Sequence, residues 1–374
     1  MVDCNLSIDF LGLKLRNPLM LTEGPLSGDG TRIRRAAEHP VGLIFTKGIR
    51  PEPARSPSPF IRKSGRDSLL NADWSDIGFA RWLEEIRELD PAIPLVTSIA
   101  KNYVTSEQAA DMAVALEKAG ARIISMVDYD PEELIAAVRA ARPRIRVPLM
   151  VKLPPMLPRL EEVLKRLVAA GAEAIAAMDS IGPVLEVDVE TGLPVMGSPD
   201  GTGYLSGAAI RPVTVRYIYE IARLVDVPVV GVGGVASARD VVEMIMVGAT
   251  GVGMVAAPML RGLDVFDRAA NDLRQFLTQH GIEDVRDIRG LTRRRIAQMQ
   301  PVYGLTSTID PAICTGCGNC ARSCFVQAIA SEGKHYWVET ARCVGCSLCA
   351  SVCPVQAIKL IEPPAAEGSY SATG

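Results

Sequence analysis

Two stretches near the end of the chain constrain it most. CTGCGNCARSC begins at Cys314, and CVGCSLCASVC begins at Cys343. Each spaces its cysteines as C-x2-C-x2-C-x3-C: Cys314, Cys317, Cys320 and Cys324, then Cys343, Cys346, Cys349 and Cys353. The doubled spacing predicts two [4Fe–4S] cubanes. Three close thiolates hold one face of each, and the fourth cysteine of a run ligates the other cluster. Cys314, Cys317, Cys320 and Cys353 are therefore expected on one cluster, and Cys343, Cys346, Cys349 and Cys324 on the other. Gly316, Gly318 and Gly345 let backbone N–H groups approach the sulfurs. Pro354 follows the second run, where the first has Phe325. The alternative is a pair of structural zinc sites, but zinc prefers two well-separated C-x2-C pairs over four cysteines in a row. Of nine cysteines only Cys4 stands apart, so a disulfide framework is not expected.

With 374 residues, the chain has room for one large domain ahead of this small one. Apolar runs punctuate that region, among them PLMLTE from Pro18, GLIFTKG from Gly42, IPLVTSIA from Ile93 and RIISMV from Arg122. PLMVKL from Pro148, EAIAAM from Glu173, VPVVGVG from Val227 and TGVGMVA from Thr250 continue the series. Amphipathic helical segments alternate with them, several ending in a glycine such as Gly120, Gly171 or Gly248. Continuous apolar runs are strands buried on both faces. Eight of them, each followed by a helix, predict an α/β fold, a (β/α)8 barrel.

In such a barrel, chemistry sits at the C-terminal ends of the strands. Strand 2 would end in Lys47, strand 5 in Lys152, strand 6 in Asp179 and Ser180, and strand 7 in Gly233 and Gly234. A lysine is costly to bury unless it meets a negative partner, and a flavin supplies one at its N1–O2 edge or its phosphate. The alternative is a pair of lysines snorkelling to the barrel rim. GVGGVA satisfies G-x-G-x-x-A, but the next strand ends in GMVAAP without the acid a dinucleotide would want. A barrel phosphate grip is the better reading, against glycines serving packing alone.

At this point the chain resembles a family. LSIDFLGLKLRNPLMLTEG, FTKGI, LLNADW, VKLPP, GYLSGAAIRP, GVGGVASARDVVEMIMVGATGV and the two cysteine runs line up in order with dihydroorotate dehydrogenases. The closer resemblance is to the iron–sulfur half of dihydropyrimidine dehydrogenase, which joins an FMN barrel to two [4Fe–4S] clusters in this same order. The resemblance implies that Lys47 and Lys152 contact FMN, that Gly207 lies beside the flavin, and that Gly233 and Gly234 hold its phosphate. Asn71 would bind substrate. The departures are specific. Where the family has N-x-S-C-P after strand 4, this chain has VDYDP, with Val127 at the asparagine position and Asp130 at that of the proton-handling cysteine. Asp179 stands where the family has a further substrate asparagine. Asp130 and Asp179 are thus the candidate acid/base residues, with Asp128 and Tyr129 as rivals, and Asp179 and Ser180 are candidates for binding substrate. Asp130 also begins D-P-E-E, an ideal helix start in which it would be the N-cap.

The expected organisation is an FMN-binding barrel over 1–280, a linker over 281–308, an α+β two-cluster ferredoxin-like domain over 309–362 and a tail over 363–374. The segment 181–203 is long for a barrel loop and is expected to be a lid, with Asp188 and Glu190 solvated. TRRRIAQ, near Arg294, reads as a solvated face that could also dock a partner or the barrel. The expected activity is hydride exchange with a small substrate at FMN, coupled to single-electron transfer through the clusters. Its substrate would be a dihydropyrimidine or dihydroorotate; the alternatives are another substrate on the same cofactors, or an electron-transfer subunit without pyrimidine chemistry. Electrons would meet ferredoxin or an NAD(P)H-dependent flavoprotein subunit, within a homo- or hetero-oligomer. A net charge of −3 gives no field for nucleic acid or an anionic membrane. The N-terminus, MVDCNLSIDFLGLKLRN, lacks the basic start and apolar core of a signal peptide, and no run is long enough to span a bilayer, so a cytoplasmic location is expected.

Overall fold

The computed structural model describes residues 4–72, 74 and 77–362; the expected tail, 363–374, lies outside the described residues. The chain forms two compact units, Met1–Ala297 and Gln298–Gly374. In the first, the apolar runs become eight strands: β1 (Leu19–Leu21), β2 (Leu43–Phe45), β3 (Leu95–Ala100), β4 (Ile124–Val127), β5 (Leu149–Leu153), β6 (Ala174–Ala177), β7 (Val229–Val232) and β8 (Gly251–Met254). They close in chain order into a parallel barrel, with β8 paired back to β1 at Val252 opposite Leu19. Almost every strand residue is buried, because side chains fill the barrel on one face and helices cover the other.

A helix follows each strand: α1 (Gly30–Ala37), α2 (Phe79–Glu88), α3 (Ser106–Ala119), α4 (Pro131–Ala141), α5 (Leu160–Ala170), α6 (Arg211–Leu224), α7 (Ala238–Val247) and α8 (Val265–Gln279). Local sequence sets their ends. Thr105 and Gln108 form a reciprocal capping box at the start of α3, and Gly120 ends it in the left-handed region at φ +114°. The same helix turns Ala109, Ala113 and Leu116 into the core. Truncating a buried leucine such as Leu116 to alanine costs about 2–5 kcal/mol, so this stripe of apolar residues anchors the helix to the barrel.

Two connections at the C-terminal ends of strands are longer than the rest. The one after β2 forms the hairpin Ile61–Ser64 and Ser68–Asn71; the one after β6 contributes Ile181–Val184 and Gly203–Gly207. Together they make one four-stranded antiparallel sheet, with Tyr204 opposite Asn71. The segment expected as a lid is therefore anchored at both ends in this sheet. Its middle turns at Asp188, whose carboxylate accepts from the N–H groups of Glu190 and Thr191. Asp188 shapes the turn, and both acids are in the exposed or half-buried range.

Within the expected linker, 281–308, the structure places the helix Leu291–Ile296, whose leading Gly290 donates to Ile245 O at 3.1 Å in the barrel unit. It also places the strand Thr306–Ile309, paired antiparallel with Ile358–Ile361 in the second unit. A second pair, Ile329–Glu332 with His335–Val338, and two short helices, Asn319–Ser323 and Leu348–Ser351, complete that unit. Its two cysteine runs fold alike. Gly316 and Gly345, Gly318 and Ser347, and Gln327 and Gln356 pairwise share positive φ.

Candidate functional site

A cavity of about 240 Å³ opens at the C-terminal ends of the strands, beneath the four-stranded sheet. Lys47, Asn71, Lys152, Asp179, Ser180, Gly207, Gly233 and Gly234 all line it. The strand-end rule explains why residues so distant in sequence converge: a barrel strand's last residue and the loop after it face the same opening.

Lys152, next to last in β5, is the best-defined charge there. Its Nζ donates to Glu23 Oε2 at 3.0 Å and lies 3.5 Å from Asp179 Oδ1. Burial opposes its charge, but Asp179 and Glu23 more than offset this and hold the ammonium above its ordinary pKa. The sequence points to a bound flavin as the negative partner of this lysine; the protein itself supplies two. Glu23, two residues beyond β1, also accepts from Ser98 Oγ at 3.1 Å. It went unnoticed in the sequence, although an acid at a strand end follows the same logic as the lysines.

The turn after β7 is tightly packed. A Cβ on Gly233, at φ +127°, would lie 2.6 Å from Thr214 Oγ1, and one on Gly234, at φ +81°, would lie 2.7 Å from Arg211 Cα. Both glycines are needed for the close approach to α6, and both also line the cavity. Asp179 Oδ1 accepts from Ser180 N at 2.8 Å, and its side chain is 22% exposed, so the carboxylate remains accessible from the cavity. Asn71 makes a long contact, 3.4 Å, to Ala72 O.

The VDYDP stretch divides. Val127 and Tyr129 line the cavity, and the Tyr129 ring lies 6.0 Å from that of Tyr204. Asp130 does not line it. Its Oδ1 accepts from Glu132 N at 2.8 Å, capping α4 from an exposed position, so the structure places it at the helix start rather than at the cavity. Asp128 is buried, lies 3.4 Å from Lys101 Nζ, accepts from Asp130 N, and is likewise outside the lining. Tyr103 and Arg50, whose guanidinium lies 3.5 Å from the Tyr103 ring centroid, complete the mouth and carried no readable signal in the sequence.

These residues fit a flavin mononucleotide. Leu69, Met178 and Met254 provide apolar wall for a flat ring, Lys152 a buried cation for its polar edge, and the glycine turn a side-chain-free rim for a phosphate. In the second unit, a small cavity is lined by Cys314, Cys317, Cys320 and Cys353, three from one run and one from the other. Backbone N–H groups of Ala328, Ala357 and Ser307 donate to Cys324, Cys353 and Cys343 Sγ at 3.2, 3.3 and 3.4 Å. Such N–H to sulfur bonds stabilise thiolates at iron–sulfur centres. Among the described residues, no group of three or more His, Cys, Asp or Glu is drawn together to hold a metal ion. Nor, among the described residues, is any helix long and apolar enough to cross a membrane.

Comparison with known proteins agrees with this geometry. The family described as dihydroorotate dehydrogenase matches residues 5–277, and a 4Fe-4S dicluster domain matches residues 307–360. The catalytic subunit of dihydroorotate dehydrogenase B (NAD(+)) from Methanothermobacter thermautotrophicus is 30% identical over 76% of this chain and 98% of its own length. The protein of the same description from Methanosarcina mazei is 30% identical over 76% of this chain and 94% of its own, and that from Pyrococcus abyssi 28% identical over 76% and 98%. This barrel, with its strand-end cavity and cysteine-rich second unit, belongs to the dihydroorotate dehydrogenase family, whose members are oxidoreductases acting on CH–CH groups.

Proposed function

We propose that the chain binds FMN in the barrel cavity and two [4Fe–4S] clusters on its eight clustered cysteines, and that it oxidises or reduces a CH–CH bond of a small substrate. The carrying observation is Lys152, a buried cation facing a strand-end cavity rimmed by the Gly233–Gly234 turn. FMN bound there would exchange a hydride with substrate and single electrons with iron–sulfur centres. Lys47 and Lys152 hold the ring's polar edge and phosphate, and Gly207, Gly233 and Gly234 let the backbone come close. Asn71 and Ser180 orient the substrate. Asp179, accessible and pinned by Ser180 N, gives or takes the proton at the carbon next to the one exchanging hydride. Cys314, Cys317, Cys320 and Cys353 hold one cluster, and Cys324, Cys343, Cys346 and Cys349 the other.

The electrons then pass to a separate carrier, ferredoxin or an NAD(P)H-dependent flavoprotein subunit. The relatives are described as catalytic subunits and are matched almost end to end by about three quarters of this chain, so its cysteine-rich unit is additional to them. Full turnover with NADH by this chain alone would sink the separate-carrier reading. A specific observation favours a second substrate reading. Val127 puts an apolar side chain at one family asparagine position and Asp179 an acceptor at another, and the described cavity lining has no cysteine. Anaerobic titration of the purified flavoprotein with uracil, thymine, dihydrouracil and dihydroorotate separates the two. Bleaching by a dihydropyrimidine or dihydroorotate supports pyrimidine chemistry. Silence towards all four, with intact exchange with ferredoxin, moves the substrate outside that class.

A further inference from the structure

Lys152 meets two acids, and both line the same cavity as the ammonium. Glu23 is the better placed. It is the nearer, at 3.0 Å against 3.5 Å, and its side chain is 7% exposed against 22% for Asp179. Its oxygens are divided between two donors: Oε2 takes the lysine ammonium and Oε1 takes the Ser98 hydroxyl. The carboxylate is thus held in place and cannot swing away from Lys152 without breaking both contacts. Neither hydride transfer nor the proton step assigned to Asp179 uses it. A buried, doubly anchored carboxylate with no chemical task acts through its charge.

We infer that Glu23 is a positioning residue that keeps the flavin's reduction potential low by offsetting the charge of Lys152, an inference that rests on the flavin reading of the cavity. Reduction places negative charge on the flavin ring. An uncompensated ammonium in a low-dielectric site would stabilise that charge and raise the potential. With Glu23 in contact, much of the ammonium's field is cancelled before it reaches the ring. A low potential suits a flavin whose electrons continue to iron–sulfur centres, which themselves extend far below zero.

The test is a potentiometric titration of the purified, flavin-loaded chain, following the flavin absorbance. Glu23→Gln keeps the shape and removes the charge. Its reduced flavin is expected to bind about tenfold more tightly relative to the oxidised form, a positive shift of about 30 mV for a two-electron couple. Glu23→Asp keeps the charge and is expected to stay near the parent value. Asp179→Asn, altering the farther and more exposed acid, is expected to shift the potential the same way by less. An unshifted Glu23→Gln, or a Glu23→Asp that shifts as far, overturns the inference while leaving the flavin reading intact. If Glu23→Gln fails to hold flavin, Asp179→Asn carries the test, and an unchanged potential there overturns the electrostatic basis. A parent chain that takes up no flavin overturns the flavin reading and the inference together.

Discussion

Lys101 and Lys152 are near twins in different settings. Each follows or ends a barrel strand, each has a side chain less than a tenth exposed, and each meets two carboxylates. Lys101 reaches Asp128 at 3.4 Å and Glu133 at 2.9 Å, both on the β4–α4 segment next door. Neither the lysine nor its acids line the cavity, whereas Lys152, Glu23 and Asp179 all do. Burial and pairing are the same; the open face is different. A buried ion pair is therefore a poor marker of function by itself, and the decisive feature is what the charge can still reach.

Removing each ammonium should separate the two most sharply. Lys101→Met strands Asp128 without a cation in the barrel wall and is expected to cost about 3–5 kcal/mol in denaturant unfolding. The flavin spectrum of its folded fraction should be unchanged. Lys152→Met strands Glu23 in the same way and is expected to cost a similar amount of stability, but in addition to slow flavin turnover by about 100-fold or more. If Lys101→Met proves stable yet inactive, the distinction between the two lysines collapses.

The two aspartates read as proton handlers sharpen the same contrast at smaller cost to the fold. Asp179→Ala is expected to slow flavin reduction or reoxidation by substrate by roughly 100-fold or more, in rapid-mixing experiments. Asp130→Ala loses a helix cap, about 1 kcal/mol of stability, with substrate rates unaltered. A rate loss in Asp130→Ala alone would return it to the active site.

The smallest effect concerns a buried group with one neutral partner. The Tyr217 hydroxyl accepts from Leu157 N at 3.4 Å, and burial, only partly opposed by that bond, pushes the phenol up to about 12. Its folded pKa lies above the unfolded value of about 10, so its contribution is fully present below about pH 10 and is lost as pH rises through about 12. Tyr217→Phe should be within about 1 kcal/mol of the parent at neutral pH and lose stability less steeply between pH 10 and 12, followed by far-UV circular dichroism.

Much of this was open to reading from residues alone. The eight barrel strands coincide with the apolar runs, because a parallel strand buried on both faces needs apolar side chains along its whole length. Gly120 and Gly171 mark helix ends because only a left-handed residue closes those turns without strain. The four-stranded sheet over the cavity was not legible. Its strands come from two connections far apart in sequence, and their pairing depends on the barrel bringing β2 and β6 to the same opening.

The cysteine spacing pointed to its own chemistry, since three cysteines of each run are close neighbours in the chain, but only folding brings Cys353 of the second run beside Cys314, Cys317 and Cys320 of the first. Lysines at the strand ends were equally visible once the barrel was recognised. Which acid would meet which lysine was settled only by the tertiary structure. Glu23 and Lys152 lie 129 residues apart and touch because β1 and β5 deliver their ends to one cavity. In VDYDP, adjacent residues part company for the same reason. The chain turns from β4 into α4 there, sending Val127 and Tyr129 to the cavity, Asp128 to Lys101 and Asp130 to the helix cap. Charge type is written in the sequence, but the direction a side chain faces is decided by where the backbone bends.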